Sequence, residues 1–222
     1  MTGTLITLEG LDGAGKTTVI KQVIKDLKEK YTKNGHPELA DRLVYTREPG
    51  GDQISEQIRN VILDKNNTGM DPIAEVMLYA ASRRQHLEDI IEPALQNDEI
   101  VFCDRFVDSS IAYQGYGRQI GYEKVKAAND LVTDGITPDA TLYFKIRPEV
   151  GLQRINQHRT NQINRLDQEQ LDFYDRVYNG YERIIEHDIA RFNIIDAELS
   201  KDKVIASVHS VLDPIVALCL MR

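Results

Sequence analysis

The stretch GLDGAGKTT at residues 10–18 constrains this chain more than any other. From Gly10 to Thr17 it follows the pattern G-x-x-x-x-G-K-T, in which small residues let the backbone curl its amides around phosphate oxygens. Lys16 supplies a charge for those phosphates, and Thr17 a hydroxyl for Mg²⁺. The flanks give the pattern a fold. TLITLE at residues 4–9 is an apolar, β-branched run that reads as a buried parallel strand. After the loop, Val19, Ile20, Val23, Ile24 and Leu27 recur at helical spacing. Strand, glycine loop and helix in that order present a bound phosphate to a helix N-terminus, where free amides and the dipole favour anions.

The rest of the chain repeats the alternation. Strands are predicted at 42–46, 99–104, 140–146 and 192–195, and helices at 53–64, from Asp71-Pro72 through 95 with a kink at Pro93, shortly after Asp108, at 122–133, from Pro148, and over 168–189. Such an order implies an α/β, three-layer P-loop fold: a parallel five-stranded sheet flanked by helices, with the phosphate site beyond the carboxyl ends of the strands. At 222 residues the chain suits a single domain spanning 1–222. No helix-length apolar run and no leader-like N-terminus are read, which points to a cytoplasmic protein without a membrane partner. The net charge of −8 argues against nucleic acid as a partner. Cys103 and Cys219 match no metal or redox spacing.

A phosphate loop serves switches and kinases alike. A guanine-reading switch would need N-K-x-D after a strand. Here NRLD at 164–167 has Arg for Lys and follows residues too polar for such a strand. A kinase acting on a phosphorylated acceptor needs a second anion site, for which arginines are suited by bidentate pairing. Arg47 and Arg105 stand directly after predicted strands, and Arg59 lies in the following helix.

TREPGG at 46–51, YAASRRQHL at 79–87 and DRFVDSSIAYQGYGR at 104–118 resemble the signatures of the thymidylate kinase family. The resemblance implies a homodimer that transfers the ATP γ-phosphoryl group to dTMP. It implies that Gly10, Leu11, Asp12, Gly13, Ala14, Gly15, Lys16, Thr17 and Thr18 bind ATP, and that Thr17 and Asp104 hold Mg²⁺. Asp12 would accept the acceptor sugar's 3′-hydroxyl, Arg47, Arg59 and Arg105 would surround the acceptor phosphate, and Glu48 would sit near that phosphate and the metal. Tyr79 would stack on thymine, Arg83, Ser110 and Gln114 would meet the base edge, and Tyr113 would lie against the deoxyribose. Some members carry a catalytic Arg where this chain has Gly13. Its substitute must come from a lid at about 153–166, where Arg154, Arg159 and Arg165 are available and Arg159 stands first, then Arg154. Lys16, Arg105, Glu48 and that lid arginine would then form the catalytic set. Another small-acceptor kinase of the same fold and a non-catalytic nucleotide-binding module are the alternatives.

Overall fold

The structure is a computed structural model that describes residues 3–158, 165–166 and 169–220. Its centre is β1 (Thr4–Gly10), every residue of which is buried. On one side β1 pairs in parallel with β3 (Ile100–Asp104), which pairs with β2 (Leu43–Arg47); on the other it pairs with β4 (Ala140–Lys145), which pairs with β5 (Phe192–Asp196). The sheet order is therefore β2-β3-β1-β4-β5, all parallel. Period-two alternation splits the core between the two faces. Leu5, Val101 and Cys103 pack on one, Ile6, Leu8 and Phe102 on the other. Helices cover both, which is why the inner strands read as continuous apolar runs rather than alternating ones.

Register decides where the site lies. Leu8 and Arg47 both align with Asp104, and Gly10 aligns with Phe144, so these strands end together at one edge. From β1 the chain goes to the edge strand β2, returns to β3 beside β1, then crosses to β4 and β5, and the crevice where the winding reverses is the ordinary ligand site of such sheets.

The helices α1 (Lys16–Lys33), α3 (Gln53–Leu63), α7 (Tyr122–Thr133) and α9 (Leu171–His187) lie close to their predicted spans, and a short α2 (Pro37–Asp41) precedes β2. Three differences have physical causes. The long helix with a kink at Pro93 is three pieces: α4 (Pro72–His86), a wide π-helical turn at Leu87–Ile91, and α5 (Glu92–Gln96). Pro93 sits in the first turn of α5, where a missing N–H and a fixed φ do no harm. The helix expected after Asp108 starts at Val107 as α6 (Val107–Ser110) and widens into a π-helical Ile111–Gly117; such turns are frequent at functional sites. Finally, a helix-length apolar segment exists after all. α10 (Lys201–Leu220) is, among the described residues, long and apolar enough by length and composition to cross a membrane. It sends Val204, Val208, Leu212, Val216 and Leu220 into the core. Charges at Lys201, Asp202, Lys203 and Asp213 had masked the run.

Candidate active site

The phosphate loop is shaped by backbone. Gly13 and Gly15 take φ values of 79° and 82°, a region side chains rarely enter. At Gly15 nothing would meet an added Cβ, so φ alone calls for glycine. At Gly13 a Cβ would come within 2.3 Å of the Gly151 carbonyl oxygen, because α8 (Pro148–His158) packs its first turns against the loop. That close approach leaves no room for a loop arginine. Lys16 folds back, its Nζ donating to the carbonyls of Gly10 at 3.0 Å and Leu11 at 3.1 Å. Burial, with Arg105 adding to it, lowers its pKa to about 8. The Thr17 hydroxyl donates to the Asp104 carboxylate. A hydroxyl and a carboxylate side by side at a phosphate loop form the hard-oxygen donor set that suits Mg²⁺.

Opposite the loop stands a cluster of cations. Arg47 and Arg59 both donate to the Pro49 carbonyl, at 2.9 Å and 2.7 Å. Burial and then the neighbouring Arg47 lower the pKa of Arg59, while Glu56, 2.9 Å from Arg47, offsets part of the local charge. Arg105 has a φ of 76°, a strained conformation for a residue with a side chain. The strain turns its guanidinium inward, where it donates to the Gly10 carbonyl at 3.0 Å, Ser109 Oγ at 3.0 Å and Asp12 Oδ1 at 3.0 Å. Tyr113 donates its hydroxyl to Asp12 Oδ2 at 2.8 Å, and its ring lies 4.9 Å from the Arg105 guanidinium.

Glu48 is held from both sides. Arg83, 2% exposed, donates from Nε and Nη2 to Glu48 Oε2, each at 2.7 Å, and from Nη1 to Ser110 and Asn129. The Nδ1 of His86 lies 3.1 Å from Glu48 Oε1, and its Nε2 lies 2.6 Å from the Thr46 hydroxyl. Arg83 thus occupies the face of α4 expected of it, yet four of its five donors are taken by protein groups. Glu48, His86 and Cys103 stand close enough to share an ion, but Arg83 already neutralises the carboxylate and repels a cation there.

One cavity of about 510 Å³ unites the predicted residues. Asp12–Thr18 line it together with Arg47, Glu48, Arg59, Tyr79, Arg83, Asp104, Arg105, Ser110, Tyr113, Gln114 and Arg154. Gly10 and Leu11 contribute carbonyls to Lys16 rather than wall. The segment expected to be a polar connector from 153 is helix through His158: Arg154 lies on α8 and donates to the Ala197 carbonyl at 2.8 Å. Arg165 is buried, donating to the Ile62 carbonyl at 2.9 Å and to Glu75 Oε2 at 2.5 Å. Arg159 lies outside the described residues, as do Asn164 and Asp167 of the NRLD tetrad.

Sequence reasoning missed two groups. Glu9, wholly buried at the end of β1, accepts from Phe106 N at 2.8 Å, Ser109 Oγ at 2.5 Å and Tyr181 OH at 2.9 Å, and burial raises its pKa. It is the one charged residue in TLITLEG, and a carboxylate in a strand read as buried is the signal that could have found it. Ala197, Leu199, Lys201 and Val204 line the cavity beyond β5. The rule that ligands sit at strand carboxyl ends, applied to FNII as it was to the earlier strands, would have found them.

The comparisons with known proteins agree with this geometry. A family model described as thymidylate kinase matches residues 8–208. The thymidylate kinase of Lactiplantibacillus plantarum is 50% identical over 96% of this chain and 92% of its own length; that of Pediococcus pentosaceus is 49% identical over 97% and 100%. Among solved structures, the thymidylate kinase of Ehrlichia chaffeensis superposes with a TM-score of 0.73 at 33% identity, covering 95% of this chain and 98% of that one. Relatives this similar over nearly their whole lengths leave one membership: this chain belongs to the thymidylate kinase family.

Proposed function

We propose that the shared cavity aligns MgATP and dTMP so that an oxygen of the dTMP phosphate attacks the γ-phosphorus directly, with no covalent enzyme intermediate. The chain uses ATP to phosphorylate dTMP to dTDP, in dTTP synthesis. The observation that carries the alignment is the common opening of the phosphate loop and the Arg47–Arg59–Arg105 cluster. Donor and acceptor phosphates held there meet between two sets of cations, so catalysis consists of positioning and charge neutralisation. Lys16 follows the migrating group, and Arg105 bridges the two halves through Asp12 and the Gly10 carbonyl. Thr17 and Asp104 would hold Mg²⁺, which would supply further charge to the phosphates. Ala197, Leu199 and Lys201 form the wall for the adenosine. With the loop arginine excluded, the remaining cation comes from Arg154, on α8, or from Arg159.

The span 1–222 acts as one domain and pairs into a homodimer in the cytoplasm, without nucleic acid or membrane as a partner. The dimer is supported by apolar side chains left exposed on adjacent helices: Ile54 and Val61 on α3, Ile73 and Met77 on α4, Leu131 on α7. Isolated exposed apolar residues are normal, but same-face pairs on two helices that pack together, as on α3 and α4, point to an interface.

A coupled ADP-release assay across dTMP, dUMP, dCMP, AMP and thymidine tests the acceptor assignment. The highest kcat/KM is expected with dTMP, and chelation of Mg²⁺ abolishes turnover. Preference for any other acceptor overturns the assignment, and ADP release with none reduces the site to a nucleotide-binding module.

A further inference from the structure

Behind the base wall lies a buried carboxylate with no role so far. Glu75, Tyr79 and Arg83 succeed one another at intervals of four along α4 and so share one face. Tyr79 and Arg83 line the cavity; Glu75 sits behind them, 1% exposed. Its Oε2 accepts from the Arg165 guanidinium at 2.5 Å, and its Oε1 from Gln114 Nε2 at 2.7 Å and from Arg118 Nε at 3.5 Å. A carboxylate held by arginines offers only acceptors, so the Gln114 atom facing it must be the amide nitrogen. An amide's orientation is ordinarily ambiguous, but this network fixes it. Gln114 lines the cavity, and with one N–H spent on Glu75 the acceptor its side chain offers a ligand is the carbonyl oxygen.

We propose that Glu75 is a specificity-determining positioning residue: by taking up the Gln114 N–H it turns the amide oxygen to the base site, so the pocket accepts from the N3–H of thymine and opposes a base whose N3 is itself an acceptor. The proposal rests on the acceptor base lying against Tyr79 and Gln114. Arg83, which carries donors alone and has one of the five left by its protein partners, lines the same cavity and bonds Ser110, one helical turn before Gln114. An acceptor next to a donor matches the N3–H and O4 edge of thymine. Cytosine presents the reverse pair, an unprotonated N3 and an amino group, and meets like against like at both positions. Uracil has the same edge as thymine, so this device separates dTMP and dUMP from dCMP and leaves the 5-methyl group to other contacts. Buried polar groups left unpaired by the wrong partner give large discrimination.

The test is kcat/KM for dTMP, dUMP and dCMP in Glu75→Gln. A glutamine at 75 can accept or donate, which frees the Gln114 amide to turn over. The dTMP-to-dCMP ratio is expected to fall about tenfold or more, with dUMP following dTMP and with the KM for dTMP rising more than the KM for ATP. Should Glu75→Gln fail to fold because Arg165 is left without its carboxylate, Glu75→Gln/Arg165→Gln removes both charges together and the same ratio is read. Gln114→Ala is measured alongside. If it raises the KM for dTMP while the Glu75 variant keeps the wild-type ratio, the proposal is overturned and Glu75 merely supports the fold. If Gln114→Ala leaves dTMP kinetics unchanged, the placement of the base has failed, and the proposal with it.

Discussion

The two halves of the cavity are built from different materials. On the side proposed for the donor, the phosphate loop is one contiguous stretch whose glycine backbone shapes the anion site, with Lys16 adding a charge and Thr17 a hydroxyl. On the acceptor side the wall is a web of side-chain charges drawn from distant parts of the chain: Glu48 after β2, Arg83 and His86 on α4, Arg105 after β3, Tyr113 and Gln114 in the π-helical turn. Backbone binding depends on φ and on close packing, so it tolerates almost no change of residue. A side-chain web distributes the task, and single losses are partly absorbed by what remains.

The sharpest test of the donor half is Lys16→Ala. It removes a charge that tracks the transferring phosphoryl group, and kcat is expected to fall roughly a hundredfold or more, as on removal of one transition-state donor. Turnover at a third of the wild-type rate would show that Lys16 is not the catalytic cation. Gly13→Arg sharpens the same point: with the Gly151 carbonyl 2.3 Å from the new Cβ, an arginine supplied at the place other family members keep it should inactivate this enzyme. Activity at or above the wild-type level would mean that α8 yields readily.

A smaller effect comes from pH. Lys16 is charged below its pKa of about 8, the form proposed to meet the ATP phosphates, so kcat/KM for ATP should hold below that pH and fall about tenfold per unit above it. Bound phosphates stabilise the charged form, so kcat should remain level to higher pH. Parallel declines of kcat and kcat/KM would assign the limb to another group.

The smallest effect belongs to the acceptor half. His86→Ala leaves Glu48 Oε1 and the Thr46 hydroxyl without their shared partner, worth about 0.5–1.5 kcal/mol for a hydrogen bond, and the KM for dTMP should rise about three- to tenfold with little change in the KM for ATP. An equal rise in both constants would erase the distinction between the halves.

The same distinction governs what could be read from residues alone. The alternating strands and helices, the parallel sheet and the phosphate loop followed from local pattern, because apolar periodicity, glycine spacing and Pro at a helix start act over a few neighbouring residues. Arg47 and Arg105 were legible for the same reason, since each stands at the end of a strand. Resemblance named most of the remaining wall, but not how its members are paired. That Arg83 spends its donors on Glu48, that Glu75 orients Gln114, that Arg165 is buried against Ile62 and Glu75, and that Gly151 closes the space beside Gly13 all join residues far apart in the chain. Such contacts exist because the sheet register brings strand ends level and packing then settles which charge meets which. Local sequence determined the strands, most of the helices and the loop; the π-helical turns, the orientation of the Gln114 amide and the exclusion of a loop arginine were decided by tertiary structure, because hydrogen bonds and close contacts depend on distances that sequence separation does not encode.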